Sequence, residues 1–317
     1  MKDDLAASVL ILGLFPIAFL ATGNSFYESL LIYSAINAIA AIGLCLIFGL
    51  AGQISLAQAA FVGLGAYATT LCTNRLHLDS VLSVIVGGLV AMLFGWLISR
   101  PLSRLHDHYL AMGTLAFGII AYILFANLSS VTGGLDPGIT IVRFRLAGYE
   151  LPRSNSLFWI CWAFLACAAF IGSNIARSKI GRTLRAMKMS EFAAEGVGID
   201  CFRTKALVFS IGAMLAGISG GLYANFSRSF NASSFGFSYS IDLLMMVIVG
   251  SLQRVSGAIA GAVIITILPL VLDSVEDYKT LVFGILMVLV VKFAPRGLVD
   301  SLLQIAIRFR RHWNGIA

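Results

Sequence analysis

The sequence predicts an all-α polytopic membrane protein, and three observations support that fold class. Hydrophobic residues make up 59% of the 317 residues and charged residues only 12%, whereas soluble globular chains are about 25% charged. Apolar runs long enough to cross a bilayer recur along the whole chain. Most basic residues lie in short stretches between those runs, which is typical of cytoplasmic loops. We therefore expect a single transmembrane domain over residues 1–317.

About ten runs are predicted to be membrane segments, because about 20 apolar residues cross the hydrocarbon core. They are Leu5–Thr22, Ser29–Leu50, Ile54–Thr73, Val81–Ser99, Tyr109–Asn127, Leu157–Asn174, Ala206–Asn225, Ser240–Leu252, Ala258–Leu272 and Thr280–Val291. No clear cleavage site follows the first run, so we interpret it as an uncleaved helix and not as a signal peptide. The two segments that flank Arg254 are short for full spans, and a re-entrant pair is the alternative there.

The net charge of +7 would suggest nucleic acid as a partner in a soluble protein, but here it predicts orientation. Short loops rich in Lys and Arg stay in the cytoplasm, which places both termini and a loop at about 176–205 on the cytoplasmic side. The outer loops would hold acidic residues such as Asp136 and Glu150. The five cysteines show no CxxC spacing, so neither a disulfide framework nor a metal site is indicated.

The loop at about 176–205, called the basic loop below, is the part most suited to contact a soluble partner. Residues 177–205 contain seven of the 22 Lys and Arg residues and three of the 15 acids. Ile180, Leu184 and Met187 recur at helical spacing and predict an amphipathic helix whose apolar face anchors the loop. A fully solvated face is the alternative interpretation.

Charged and small residues of the basic loop are the candidate partner contacts. Arg182 and Arg185 lie beside the apolar face, and Glu191 and Glu195 are four residues apart, where like charges disfavour a helix. Gly196 and Gly198 would let the chain turn tightly.

Glycine and polar residues interrupt the apolar pattern at residues 49–67, GLAGQISLAQAAFVGLGAY. Backbone freed from a helix at membrane depth must face protein or a water-filled cavity. Gln53, Ser55 and Gln58 are therefore candidates for lining or gating a pathway. The alternative is that these side chains bridge helices, while small residues allow close packing. The glycines concerned are Gly52, Gly63 and Gly65.

A long outer connection at about 128–156 contains glycines and Pro137, which mark turns. Ile139–Leu146 has the composition of a short strand or hairpin. Docking of an extracytoplasmic partner and a simple ordered lid are both compatible with this loop.

Five motifs in this order, GLAGQISLAQAAFVGLGAYA, SSVTGG, SKIGRTLRAMKMSEFAAEGVGID, SYSIDLLMMVIVGS and APRGLV, resemble the LivM-type permease subunit of branched-chain amino acid ABC importers. The resemblance covers most of the chain. It implies a bacterial inner-membrane permease that pairs with a LivH-type second permease, two ATPase subunits and a periplasmic solute-binding protein. ATP and Mg would bind to the partner ATPases, and no cofactor is expected in this chain.

The resemblance also implies roles for particular residues. The basic loop corresponds to the element that docks on the ATPases, in which Glu191, Ala193, Ala194 and Gly198 represent the family's acid, alanine pair and glycine. Asp242 matches a family acid that is either interfacial or faces the pathway. Gln58 stands where the family often has histidine, and related permeases carry urea or short amides, so both substrate classes stay open.

Two other classes fit the sequence less well. A secondary transporter would be expected to carry ionisable residues deep in its spans, whereas the charges here lie at span ends and in loops. An intramembrane enzyme would need a nucleophile with a base, a metal-ligand cluster or paired acids, and no such pattern is present. The GxxxxGK[ST] phosphate loop is absent from the sequence, so hydrolysis of ATP is expected in partner subunits.

Overall fold

The computed structural model describes residues 8–9, 11–17, 25–103, 107–142, 144–146, 149–150, 155–271, 284 and 292. Within these ranges most of the chain is helical. Residues 8–9 and 11–17, inside the predicted first span, are helical. The predicted last span, Thr280–Val291, lies outside the described residues apart from residue 284.

Eleven α-helices follow these N-terminal helical residues in the described part of the chain. They are α1 Ser25–Leu44, α2 Gln58–Arg75, α3 Ser80–Leu102, α4 Asp107–Asn127, α5 Ser129–Thr132, α6 Asn155–Arg177, α7 Lys179–Met189, α8 Glu191–Gly196, α9 Cys201–Ser227, α10 Phe237–Gly250 and α11 Val255–Val271. A π-helical turn, Cys45–Leu50, extends α1, and a 3₁₀ turn, Ala232–Phe235, precedes α10.

Six helical segments are long and apolar enough to cross a membrane, by length and composition. They are Ser25–Leu50, Ser80–Leu102, Tyr109–Asn127, Ser156–Arg177, Cys201–Ser227 and Ala232–Gly250. The shorter helix Val255–Pro269 is also apolar. The chain is therefore a multi-pass membrane protein, while the predicted total of ten spans is not reached among the described residues.

Helix α2 has the length of a span but falls outside that set because its composition is more polar. Its surroundings explain this composition: α2 packs against α1, α3, α9 and α10, and most of its residues are buried. A helix enclosed by protein does not need the apolar surface that lipid requires. The predicted span Ile54–Thr73 begins four residues before this helix does.

The centre of the bundle is formed by α1 and α9. Within their apolar windows, 83% of Ser25–Leu50 and 72% of Cys201–Ser227 is buried, against 33% of α3 and 22% of the α4 window. Glycine permits a close approach of the two backbones where α2 crosses α9. A Cβ atom on Gly65 would overlap the backbone of Gly217, so only small residues allow this contact.

Four short strands lie at the opposite end of the bundle from the basic loop. β1 Ile139–Thr140 pairs antiparallel with β4 Ser229–Phe230, and β2 Arg145–Leu146 pairs with β3 Tyr149–Glu150. The strand or hairpin predicted over Ile139–Leu146 is therefore two separate short strands. The Asn74 side chain holds β1 against α2, since its Nδ2 donates to Thr140 O at 2.7 Å.

Candidate coupling and translocation site

Helices α7, α8 and α9 each begin with a polar residue that caps the helix. Ser178 Oγ accepts from the amide of Gly181 at the start of α7, and Ser190 Oγ accepts from Ala193 N at 3.2 Å at the start of α8. Asp200 Oδ1 accepts from Arg203 N at 2.9 Å at the start of α9. Each cap satisfies an amide that has no partner within its own helix, so the sequence itself determines where the loop changes direction.

The apolar face predicted for the basic loop anchors α7. Leu184 is fully buried and Met187 is 2% exposed, while Ile180 is 37% exposed. Met187 packs with Ala194 and Cys201 in a small cluster of its own. This cluster ties α7 and α8 to the first turn of α9, so the loop has a defined position against the membrane helices.

The charged candidates of the basic loop divide into two groups. Arg182 and Glu195 are exposed to solvent. Arg185 Nη2 donates to Ala176 O at 2.8 Å, at the end of α6. Glu191 forms an ion pair with Lys205 of α9, whose side chain is 7% exposed. Glu191 therefore has a partner within its own chain.

The small candidates lie at the end of α8. Ala193 is exposed and Ala194 is buried. Gly196 is the last residue of α8, and Gly198 has a φ of +82°, the left-handed conformation that favours glycine. In the described part of the chain, a Cβ atom on Gly196 or Gly198 would meet no atom within 4 Å, so both positions are open there.

Three apolar side chains of the basic loop are more than three-quarters exposed, and the sequence interpretation did not single them out. Met189 is 90% exposed, Phe192 86% and Val197 78%. They lie at the end of α7, in α8 and just after it. Large apolar residues between charged ones in a loop were the available signal, because such residues often mark contact surfaces.

Lys188 connects the basic loop to the span Ser25–Leu50. Its Nζ donates to the carbonyl oxygen of Gly49 at 2.9 Å, within the π-helical turn that ends this span. A Cβ atom on Gly52 would lie 3.0 Å from Lys188 Cγ. The predicted gating candidate Gly52 is thus packed against the basic loop.

Residues 51–57, called the broken segment below, form an irregular, largely buried connection between the π-helical turn and α2, as the glycine and polar pattern predicted. Gly52 adopts a φ of +73°, which only glycine adopts without strain. The segment is held by surrounding helices: Leu56 N donates to Thr114 Oγ1 at 3.1 Å, and Ala59 N donates to Ser240 Oγ at 3.0 Å. Side-chain hydroxyls thus replace the backbone partners that a continuous helix would supply.

Gln53, Ser55 and Gln58 are all buried, with exposures of 5%, 0% and 0%. Gln58 Nε2 donates to Gly212 O of α9 at 3.3 Å, which is a bridge between helices. Gln53 Oε1, Ser55 Oγ and Gln58 Oε1 have no hydrogen-bond partner among the described residues. Three unsatisfied oxygens in one short segment are costly, which marks the segment as a place where a second conformation or a polar solute could supply partners.

A cavity of about 340 Å³ opens beside the broken segment. Leu56 and Ala59 line one side, Ile119 and Tyr122 of α4 another, and Ser238 lies at the start of α10. Its lining is uncharged and mixes apolar side chains with hydroxyls. Sequence reasoning did not pick out Tyr122 or Ser238, because hydroxyl residues near span ends are common.

Gly63 and Gly65 allow neighbouring elements to pack closely against α2. A Cβ atom on Gly63 would lie 2.6 Å from Phe125 Cε2, and Gly65 faces the backbone of Gly217. Above Gly63, Tyr67 packs on Phe125 with ring centroids 4.9 Å apart and on Phe230 at 5.2 Å. Because Phe230 belongs to β4, these ring contacts connect α2 and α4 to the strands.

Asp242 lines a separate cavity of about 160 Å³. Tyr239 OH donates to Asn37 Oδ1 at 2.9 Å, and Asn37 Nδ2 donates to Thr266 Oγ1 at 3.0 Å. Asn37 and Thr266 also border this cavity. An amide such as Asn37 within an apolar run was the sequence signal for this network.

The described residues thus form a bundle of membrane helices with one broken helix and an extramembrane helical loop that contacts the break. Among these residues, no group of three or more His, Cys, Asp or Glu could hold a metal ion. This architecture is that of a multi-pass membrane protein.

Residues 26–291 match the family described as the permease component of the branched-chain amino acid transport system. Because the match covers most of the chain, this protein belongs to that family. The predicted resemblance to the LivM-type permeases is thereby confirmed.

Curated relatives agree with the family match. The chain is 28% identical to the high-affinity branched-chain amino acid transport permease LivM of Salmonella typhimurium, over 81% of this chain and 66% of LivM. It is 24% identical to the probable LivM of Methanocaldococcus jannaschii (81% and 79% covered) and 26% identical to LivH of Escherichia coli (83% and 90%). The alignment with the Salmonella LivM spans just under two thirds of that protein. No solved structure matches this chain.

Proposed function

We propose that this chain is a permease subunit of a binding-protein-dependent ABC importer for branched-chain amino acids in the bacterial inner membrane. It would pair with a LivH-type second permease, be driven by two separate ATPase subunits and receive solute from a periplasmic binding protein. Family membership and the similarity to LivM and LivH proteins support this proposal. An importer of urea or short amides is the second candidate, because the cavity lining carries no charge that names a ligand.

The contact between the basic loop and the broken segment is the observation that carries the proposal. A permease without its own nucleotide site needs a surface on which ATPases dock and a rigid route from that surface to the pathway. The exposed Phe192 supplies apolar docking area, and the packing of Leu184 and Met187 fixes the loop. Lys188 then joins the loop to the end of the span Ser25–Leu50.

Closure of the ATPases on ATP would act on the permease only through differential contact with its two conformations. In the proposed mechanism, movement of α7 pulls or releases Gly49 and Gly52. The broken segment then shifts relative to α4 and α10, which changes the 340 Å³ cavity. ATP and Mg stay with the ATPases, and the residues of this chain transmit the movement.

The proposed pathway residues belong to the broken segment, to the first turn of α2 and to the lining of the 340 Å³ cavity. The unsatisfied oxygens of Gln53, Ser55 and Gln58 would bind the ammonium or amide hydrogens of a solute in an alternative conformation. The apolar side chains that line the cavity, such as Ile119, would contact an aliphatic side chain. Asp242 borders the other cavity, and we assign it a supporting role through the network with Tyr239 and Asn37.

Reconstitution of the complex in proteoliposomes tests this function. The full assembly, with both permeases, the ATPases and the binding protein, is assayed for ATP hydrolysis and uptake with leucine, isoleucine, valine, urea and acetamide. We expect the three amino acids to stimulate both activities and the two amides to have no effect. Stimulation by urea or acetamide alone would overturn the substrate assignment, and uptake driven by an ion gradient without ATP would overturn the importer class.

A further inference from the structure

Helices α3 and α9 pack closely and then leave a groove between them toward one end. A Cβ atom on Gly95 of α3 would lie 2.5 Å from the Cβ atom of Ala213 of α9, so the two helices are in close contact there. A groove of about 1020 Å³ begins beside this contact, where Met92 and Ser210 line it, and extends to the end of α3 and the start of α9. It is called the α3–α9 groove below, and the proposed transport pathway does not use it.

The middle of the α3–α9 groove is lined by large apolar side chains that are partly exposed. Trp96 is 42% exposed, Leu207 is 43% exposed and Phe202 is 37% exposed. Both helices are candidate membrane spans, so lipid chains are the apolar partner that the bilayer supplies to this surface. The shape and lining of the groove therefore suit an acyl chain.

Two arginines lie at the end of the α3–α9 groove. Arg100 is in the last turn of α3, and Arg203 is the third residue of α9. Both therefore lie at the level where their spans leave the membrane, on the side of the basic loop, which leads directly into α9. Lipid head groups occupy that level, and tryptophan and arginine are typical anchors there.

The contacts of the two arginines differ. The guanidinium carbon of Arg100 lies over the ring of Trp96, 3.8 Å from its centroid. This cation–π contact orients Arg100 through the face of the guanidinium and does not itself occupy its N–H donors. Arg203 Nε pairs with Asp200 at 3.0 Å, so the carboxylate balances part of its charge. We therefore expect Arg100 to be the principal polar contact of a ligand in the groove.

We propose that the α3–α9 groove binds one phospholipid of the cytoplasmic leaflet. The phosphate lies at Arg100, with Arg203 beside it, and one acyl chain lies along Trp96, Phe202 and Leu207. Arginine suits this position because its planar donors match the oxygens of a phosphate. The groove recognises a phosphate joined to acyl chains, and the lipid contacts the first turns of α9, next to the basic loop. This site does not depend on the identity of the transported solute.

Thermal unfolding of the full-length chain, co-purified with its partner permease in detergent, tests both parts of the ligand. The probes are dioctanoyl phosphatidylglycerol, dioctanoylglycerol, which has the same chains without the phosphate, and inorganic phosphate. We expect phosphatidylglycerol to raise the unfolding temperature by more than either other probe at the same concentration. An equal or larger shift with dioctanoylglycerol would overturn recognition of the phosphate, and one with inorganic phosphate would overturn the lipid. The absence of a shift with phosphatidylglycerol would contradict the site, as expected if the partner permease covers the groove.

One pair of variants tests the position of the phosphate, with affinity measured by titration of the unfolding temperature. Arg100→Gln is expected to bind phosphatidylglycerol about fivefold more weakly, because a basic group near the membrane surface contributes about 1 kcal/mol to attraction of an anionic lipid. Lys179→Gln is the control with the same change of charge, since Lys179 is an exposed cation outside the groove. Equal affinity of these two variants would contradict the phosphate position. If Arg100→Gln does not fold, Arg203→Gln is measured against the same control, with the same two outcomes.

A second pair of variants tests the position of the acyl chain. Leu207→Ala removes apolar contact area from the groove and is expected to weaken binding of phosphatidylglycerol. Leu97→Ala is the matched control, since Leu97 is 57% exposed on α3 and does not line the groove. Equal affinity of Leu207→Ala and Leu97→Ala would contradict the acyl-chain position.

Discussion

The ammonium group of Lys188 donates a hydrogen bond to the carbonyl oxygen of Gly49 over 2.9 Å. This bond joins the basic loop to the π-helical end of the span Ser25–Leu50. Gly52 follows three residues later with a φ of +73° and packs on the aliphatic part of the same lysine. One side chain therefore contacts both the end of α1 and the start of the broken segment. Movement of α7 along the membrane normal would therefore also displace the start of that segment.

Phe192 is expected to be an anchor for ATPase docking, because this large apolar side chain is 86% exposed in the basic loop. Burying such a side chain at an interface contributes about 1.5–3 kcal/mol. Phe192→Ala should reduce ATPase co-purification about tenfold or more and leave thermal unfolding of the permease unchanged. Phe170→Ala is the matched control, since Phe170 is 62% exposed on α6, away from the loop. Wild-type recovery of the ATPases with Phe192→Ala would rule out this anchor.

The ion pair of Glu191 with Lys205 is expected to stabilise the basic loop within this chain. Lys205 is 5% exposed, and removing one partner of a buried pair costs about 3–5 kcal/mol. Glu191 is partly exposed, so Glu191→Lys should lower the free energy of unfolding by ~2 kcal/mol or more. The swap Glu191→Lys/Lys205→Glu should recover most of the loss. The exposed pair Asp200 and Arg203 provides the control, because Arg203→Ala should cost under about 1 kcal/mol. No recovery in the swap would contradict an internal role.

The sequence was sufficient to predict the membrane class, the break near residues 51–57 and the basic loop with its buried Leu184 and Met187. These features follow from composition and from local periodicity. The Lys205 partner of Glu191 and the Gly49 partner of Lys188 could not be predicted, because both are contacts between elements distant in sequence. The reason for the low hydropathy of α2 could not be predicted either, since only the packed bundle shows that protein surrounds this helix.

Substitution by alanine should have different effects at two glycines of this chain. A Cβ atom on Gly65 would overlap the backbone of Gly217, whereas one on Gly196 would meet nothing within 4 Å. Overpacking typically costs about 1–3 kcal/mol, occasionally more, so Gly65→Ala should reduce the amount of folded protein and its unfolding temperature. Gly196→Ala should leave both unchanged. Fluorescence-detected gel filtration measures this, and equal behaviour of the two variants would contradict the helix packing.

Opposite sides of the membrane are predicted for Ser190 and Thr140, both of which are exposed. Lys and Arg bias loops to the cytoplasm, so the basic loop should be inside and the β1–β4 strands outside. Single cysteines at these positions, in a background without native cysteines, are treated with a membrane-impermeant maleimide in intact cells. We expect labelling of Thr140→Cys alone, and labelling of Ser190→Cys only after permeabilisation. The reverse pattern would invert the topology.

The direct test of the proposed mechanism measures ATP hydrolysis and leucine uptake side by side for Lys188→Met in the reconstituted complex. A hydrogen bond to a charged group is worth about 1.5–3 kcal/mol, and its loss would separate the basic loop from Gly49 while leaving Phe192 available for docking. We expect hydrolysis to continue and uptake per ATP to fall about tenfold or more, with Lys179→Met at the wild-type ratio. A wild-type ratio of uptake to hydrolysis in Lys188→Met would show that movement reaches the broken segment by another route.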